Sequence, residues 1–199
     1  MPFPADPAVS AVTARPIWDA FRFPAVLVVT AAPSGFAASL LPDSRALPIL
    51  SELTGDGLHA VAADSEGDHQ LWFAGGGEAV HAAILLPIDP NFWWRYRNAG
   101  RLVRRLEGQR AGRWPRDQRL SAFQLHRAAL MLRAWDGVES GASRRTVASV
   151  LLNQNLATLR ALDWKNAPER RRLARILIAS RDTIEGGYLR WLAPRNPQR

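Results

Sequence analysis

The stretch that most constrains this chain is residues 142–191, where a short and a long amphipathic segment are joined by a connector and the long one opens in a cluster of basic residues. In the short segment, residues 143–152, Val147, Val150 and Leu151 share one face at helical spacing, and Ser143 stands where a hydroxyl caps a first turn. After Trp164, Lys165, Asn166, Ala167 and Pro168, the long segment carries Leu173, Ile176, Leu177, Ile184, Tyr188 and Trp191 at steps of three and four. Such a stripe must be buried against another element. Away from it, in the first turns, sit Arg170, Arg171, Arg172 and Arg175, with Lys165 just ahead. A basic helix start behind a short partner helix is the pattern of a helix-turn-helix reader of DNA. In that arrangement Arg144 and Arg145 of the short helix meet phosphates, whereas Arg170, Arg171 and Arg175 are candidates for base edges. Lys165, Arg172 and Asn166 complete the candidate DNA-binding set, with capping of the long helix the preferred role for Asn166.

A third helix is expected upstream. Ser121 caps it, and Phe123, Leu125, Leu130, Leu132 and Trp135 supply apolar surface until glycines stop it at residues 137–141. The three segments form a bundle. Gly186 and Gly187 interrupt the long helix, each at a cost of about 1 kcal/mol relative to Ala, so a kink or a close helix approach is expected there.

These residues resemble a known family. Gly141, Ala142 and Ser143, then Trp164 and Lys165, then Gly186, Gly187, Tyr188, Leu189 and Arg190 are similar to the C-terminal module of bacterial domain family 2285, the RovC-like DNA-binding domain of type VI secretion transcription factors. The similarity extends upstream to Leu120 and Ser121 and to residues 130–137, and more loosely to residues 86–92. The chain departs from the family pattern at Arg171, where an acidic residue is usual, and at Leu152 and Asn153, where the short helix usually ends on an aromatic residue and a glycine. The resemblance implies a transcriptional regulator with duplex DNA as its partner, found on mobile genetic elements and beside secretion genes. It also implies a second class of function, because short relatives act as antiactivators that bind another transcriptional regulator. RNA polymerase is a further partner that a regulator of this kind would meet.

Charge supports a polyanion partner for the C-terminal half. Through Trp94 there are three basic residues against ten acidic, a net −7; from Arg95 onward there are 23 against eight, a net +15. Lys165 is the only lysine. That bias follows either from a GC-rich genome or from selection for bidentate guanidinium contacts. Arginine-rich faces also bind A-form RNA. The chain has no cysteine and no run of about 18 apolar residues, so disulfides, thiolate metal sites and a membrane span are not indicated. A cytoplasmic location is expected.

The N-terminal half alternates short apolar runs with turns. Residues 1–16 read as a flexible tail rich in Pro and Ala; Ile17, Trp18, Phe21 and Phe23 read as ordinary packing. Residues 25–31 form a strand buried on both faces, residues 58–63 and 69–73 a hairpin around a polar loop, and residues 79–86 a fourth strand. A helical turn or two is expected over residues 45–54. Asp89 and Pro90 mark a helix over residues 91–107, with Phe92, Tyr96, Leu102, Val103 and Leu106 inward and Arg97, Arg101, Arg104 and Arg105 mostly outward. Of Trp93 and Trp94, only one can face inward. A basic linker over residues 108–115 then separates a domain at 17–108 from one at 116–193.

Catalytic chemistry finds little foothold. Asp64, Glu66, Asp68 and His69 crowd the hairpin loop, but alternating acids in a turn are usually solvated, and His59, His81 and His126 lack a ligand at metal-binding spacing. No phosphate-cradling glycine pattern is present. The expectation is therefore an α+β protein: a small acidic N-terminal β-rich domain with one helix, then a basic all-α helix-turn-helix domain. Its function is to bind duplex DNA as a bacterial transcription regulator, with no enzyme activity, cofactor, metal or membrane. The alternative is a protein-interaction module such as an antiactivator. Sequence does not set the oligomeric state.

Overall fold

The computed structural model describes residues 14–41, 50–78 and 80–192. Most of the expected tail, and residues 45–49 of the expected helical turn, lie outside them. The architecture is α+β, with strands first and helices after them. The chain divides into two compact units, one of Met1–Arg119 with Leu192–Arg199 and the other of Leu120–Trp191.

In the first unit six strands form one mixed sheet: β1 (Leu27–Ala31), β2 (Leu40–Leu41), β3 (Leu50–Thr54), β4 (Gly57–Ala62), β5 (His69–Phe73) and β6 (Val80–Leu85), in the spatial order β2-β6-β1-β5-β4-β3. The hairpin and the strands at β1 and β6 stand where the apolar runs placed them. Residues 50–54 are a correction. They form an edge strand antiparallel to β4 rather than a helical turn, because Leu50 to Thr54 continue the sheet through the tight turn to Gly57. Gly57 has φ +134, and a Cβ there would lie 2.2 Å from the Phe73 carbonyl oxygen, so only glycine fits.

Helix α1 (Phe92–Leu106) lies on one face of the sheet, where Ala99 and Leu102 join Leu27, Val29, Leu41, Ala60, Leu71 and Phe73 in the core. In a second cluster Ala20, Val26 and Val28 pack with Trp18, Phe23 and Trp72. The helix begins one residue after Asn91, whose side chain makes no capping bond. Asp89 instead accepts from the Asn91 amide and from the Arg95 guanidinium at 2.8 and 2.7 Å.

The inward face of α1 is rotated from the one its apolar residues mark. Tyr96 and Val103 are exposed, while Arg95, Asn98 and Arg101 are buried beside Trp94, Ala99 and Leu102. The reason is hydrogen bonding: a buried backbone carbonyl without a donor costs about 1–3 kcal/mol, and arginine has five N–H groups to offer. Arg101 donates to the carbonyls of Gly67 and Gly112 at 2.8 Å each, and its guanidinium lies 5.3 Å over the Trp114 ring. Arg104 donates twice to the Ala111 carbonyl, and Arg105 bonds the Ala63 carbonyl and the Asp64 carboxylate. Trp94 is the inward member of the tryptophan pair, and Trp93 is exposed.

These bonds also revise the segment after α1. Residues 108–115 read as a linker, yet Ala111 is buried, the Gly112 amide donates to Glu66 at 2.6 Å, and Trp114 stacks on Phe23. Beyond it, a 3-10 turn (Arg116–Gln118) is held by Trp94 and Arg97 on Asp117 and by Asn98 on Gln118. The break between the units therefore falls after Arg119.

The second unit is helical: α2 (Ala122–Glu139), α3 (Arg144–Leu151), α4 (Ala161–Asn166), α5 (Pro168–Asp182) and α6 (Leu189–Leu192), with a 3-10 turn at Gln154–Ala157 and a π turn at Thr183–Gly187. Helices α2, α3 and α5 pack mutually. Their core is Ala134, Val147, Ala148, Leu156, Ala167 and Leu173, with Trp164, Ile176 and Leu177 partly buried against it. Full burial of Leu173 alone contributes about 1.5–3 kcal/mol. On α2 the inward residues are Met131 and Ala134, while Phe123, Leu125 and Leu132, expected as core, are exposed. Gly137 lets α3 approach closely, since a Cβ there would sit 3.0 Å from a Val147 methyl.

Candidate nucleic-acid interface

The candidate residues sit on α3, α4, α5 and the joints between them. Helix α3 is capped as its sequence dictates: the Ser143 hydroxyl accepts from the Thr146 amide at 3.1 Å. Val147 and Ala148 face the core, whereas Val150 is exposed, one position off the buried arc. Arg144 points outward and is exposed.

Arg145 is placed differently from Arg144. Its guanidinium donates to the carbonyls of Leu156, Ala157 and Leu159. It thereby holds the connector against α3 in the manner of a cross-brace, and these bonds engage the N–H groups on Nε and Nη2, three of its five.

The connector itself contains structure that periodicity did not show. Residues 152–167 include the 3-10 turn, begun by Asn153 accepting from the Asn155 amide at 3.1 Å, and then α4. Lys165 and Asn166 end α4, both exposed. Asn166 is not the cap of the long helix. That position belongs to Ala167, in an extended conformation with φ −60 and ψ 132, because the residue before a proline is pushed out of the helical region. Its buried methyl group adds to the core rather than capping, and Pro168 opens α5.

On α5, Leu173 and Ser180 are buried and Ile176 and Leu177 half-buried. Ser180 donates to the Ile176 and Met131 carbonyls, at 2.8 and 3.0 Å. Arg170, Arg171, Arg172 and Arg175 are all exposed or half-exposed toward solvent. Arg171 and Arg175, four residues apart, share the pole opposite Leu173, and Ile178 continues that face with 62% exposure. Arg170 donates to the Lys165 carbonyl at 3.1 Å. Among the described residues none of the four forms an ion pair. Positive charge in a first turn opposes the helix dipole, and here only Glu169 offsets it.

One residue escaped the sequence reading. Arg127 on α2 joins Arg172 and Arg175 around a cleft of about 140 Å³ floored by Leu130, Met131, Ile176 and Ala179. The helical spacing of α2 alone carried no sign that Arg127 turns toward α5; only the α2–α5 packing brings the three guanidinium-bearing side chains together.

The expected stripe ends early. The α-helix stops at Asp182, and Gly186 takes φ +125 in the π turn, a left-handed value that a side chain would strain. Ile184 and Trp191 are therefore exposed and Tyr188 only partly buried. The break falls at the two glycines whose presence suggested it.

Charge separates between the units less simply than along the chain. The first unit holds fourteen Lys and Arg against twelve Asp and Glu, and the second twelve against six. Arginines of α1 and after it offset the acids of the strands, so the first unit is not acidic as a whole. Asp64 shows this locally. Burial acts to raise its pKa, but the Glu66 amide and the Arg105 guanidinium outweigh burial and hold the carboxyl below its ordinary value. Asp64 also lies 3.8 Å from His69 Nε2. That contact is not an ion pair at neutral pH, because burial, with Arg101 adding to it, pushes the imidazole down to about 4.

A family model described as the DNA-binding domain of a T6SS transcription factor, RovC_DNA-bd, matches residues 85–193, more than half of the chain. No curated protein and no solved structure matches it.

Proposed function

Because the chain belongs to the family of T6SS transcription-factor DNA-binding domains, we propose that it is a cytoplasmic bacterial transcription regulator that binds duplex DNA, with α5 as the reading helix. The observation that carries this is the set of four solvent-facing arginines in the first two turns of α5, none with an acidic partner among the described residues. Helix α3 is its partner in a helix-turn-helix whose turn is expanded into the 3-10 turn and α4. Arg171 and Arg175 read base edges from the outer pole of α5. Arg144, Arg170, Lys165, Arg172 and Arg127 grip phosphates on either side, and Arg145 braces the connector. Groups of this kind divide the work, since phosphate contacts set affinity and register while base contacts set sequence preference.

The rival reading, a protein-interaction module such as an antiactivator, leaned on an acidic N-terminal half able to engage a basic partner. The near-balance of charge over the first unit weakens that argument. The experiment is to purify the chain from cells with its bound DNA, sequence the fragments, and titrate the enriched duplex over a range of salt. The proposal expects one enriched motif and log K falling by about 0.9 for each phosphate contact against log salt. Fragments with no common motif, or binding indifferent to salt, would remove it.

A further inference from the structure

Nine arginines follow Trp94 among the described residues of the first unit, and they fall into two sets. Arg95, Arg97, Arg101, Arg104 and Arg105 on α1 all bond within the unit, to Asp89, Asp117, Asp64 or loop carbonyls. The other four, Arg110, Arg113, Arg116 and Arg119, recur at every third residue of the segment beyond the helix, and all four reach solvent. Among the described residues none of them is in an ion pair or donates a side-chain hydrogen bond.

The backbone that carries them is anchored. Between the arginines, the Ala111 methyl is buried, and Gly112 is held through its amide by Glu66 and through its carbonyl by Arg101. Trp114 stacks on Phe23 and carries the Arg101 guanidinium over its ring, and Asp117 and Gln118 are tied to Trp94, Arg97 and Asn98. A strap whose intervening residues bind inward while its arginines remain outward presents its cations from a backbone already held in place. That lowers the ordering cost of binding a polyanion.

We infer that Arg110, Arg113, Arg116 and Arg119 form a second contact to the nucleic-acid backbone, on the first unit and separate from α5. A phosphate backbone fits better than an acidic protein face for two reasons. The arginines are evenly repeated with no exposed apolar anchor between them, and the match to the DNA-binding family begins at residue 85, so it takes in the strap as well as the second unit. Contacts of this type add affinity without sequence preference. The inference rests on the DNA binding proposed above.

The test uses the full chain with all four residues changed to Gln, and separately with R110Q/R113Q and R116Q/R119Q in case the quadruple variant does not fold. Each is titrated with the enriched duplex and with a random-sequence duplex, alongside R171A/R175A. If the strap holds phosphates, the Gln variants melt like the parent, weaken on both duplexes by the same factor, and show a salt slope shallower by about 0.9 for each phosphate no longer gripped. Variants whose affinity and salt slope both match the parent would overturn the inference, while loss of sequence preference in R171A/R175A would leave the reading of α5 intact. Strap variants that bind both duplexes normally but fail to capture a poly-glutamate peptide that the parent captures would overturn it too, and show that the surface serves an acidic protein instead.

Discussion

Arg145→Ala separates a structural arginine from a DNA-contacting one. In the folded chain this guanidinium donates to three carbonyls of the connector, those of Leu156, Ala157 and Leu159. The bond to Ala157 is exposed, and water replaces it at little cost, which leaves two half-buried bonds. A hydrogen bond to a charged group contributes about 1.5–3 kcal/mol, and partial access of water reduces each, so the substitution should cost about 2–4 kcal/mol. That is a large part of the 5–15 kcal/mol or so available to a domain of this size. Urea unfolding of the full chain, followed by tryptophan fluorescence, measures it. Arg145→Lys sharpens the test: it keeps the charge a phosphate would seek but cannot span three carbonyls, so it should be destabilised nearly as much as Ala. If both variants unfold like the parent while DNA affinity drops, and Lys restores that affinity, Arg145 is a phosphate contact and the brace is refuted.

Further outcomes follow from the same geometry. His69 should make the first unit sensitive to acid: its pKa is about 4 in the fold against about 6.5 unfolded, so the unfolded chain binds the extra proton and stability falls as pH drops through that interval, by up to about 3 kcal/mol. Urea midpoints measured from pH 7 to pH 4 should fall, and His69→Gln should flatten the profile in that window; a parent profile already flat there would contradict the assignment. Gly67→Ala should destabilise the first unit strongly, because the new Cβ would stand 2.0 Å from Trp114 at φ +121, and thermal melting should show it. Trp164→Ala should cost about 1–3 kcal/mol by chemical denaturation, below the full cost of a buried tryptophan, since the ring is only partly buried against the second core. A fragment of residues 120–191 should fold alone into a helical domain, and a random-coil circular dichroism spectrum would show that the second unit depends on the first.

Most elements were legible wherever a single face decided them. The strand at 27–31, the hairpin, α3 with its Ser143 cap, and the glycine break after α5 all follow from local pattern and turn chemistry. Periodicity failed where polar groups are buried for the sake of distant carbonyls. On α1, Arg101 took an inward position because the loops around Gly67 and Gly112 need donors, while Arg95 and Asn98 turn to Asp89 and Gln118, and no count of apolar residues registers a partner 34 positions away, as Gly67 is from Arg101. The same blindness made residues 108–115 look like a linker. Composition marked them as turn-forming, which they are, but said nothing of Glu66 and Trp114 fastening them down. At the candidate interface the arginines of α5 were visible as a cluster, whereas the different placements of Arg144 and Arg145 depend on how the connector folds back, and the approach of Arg127 depends on helix packing.

The claim that α5 reads DNA is tested most directly by replacing Arg171 and Arg175 singly with Ala and measuring binding to the enriched duplex and to each single-base variant of it, at one salt concentration. Removing a bidentate guanine reader should cost about 1–3 kcal/mol and relax preference at one base position, leaving the others unchanged. Equal weakening on every duplex by both variants, with the pattern of preference across bases unaltered, would contradict it and leave α5 as a basic face that does not read sequence.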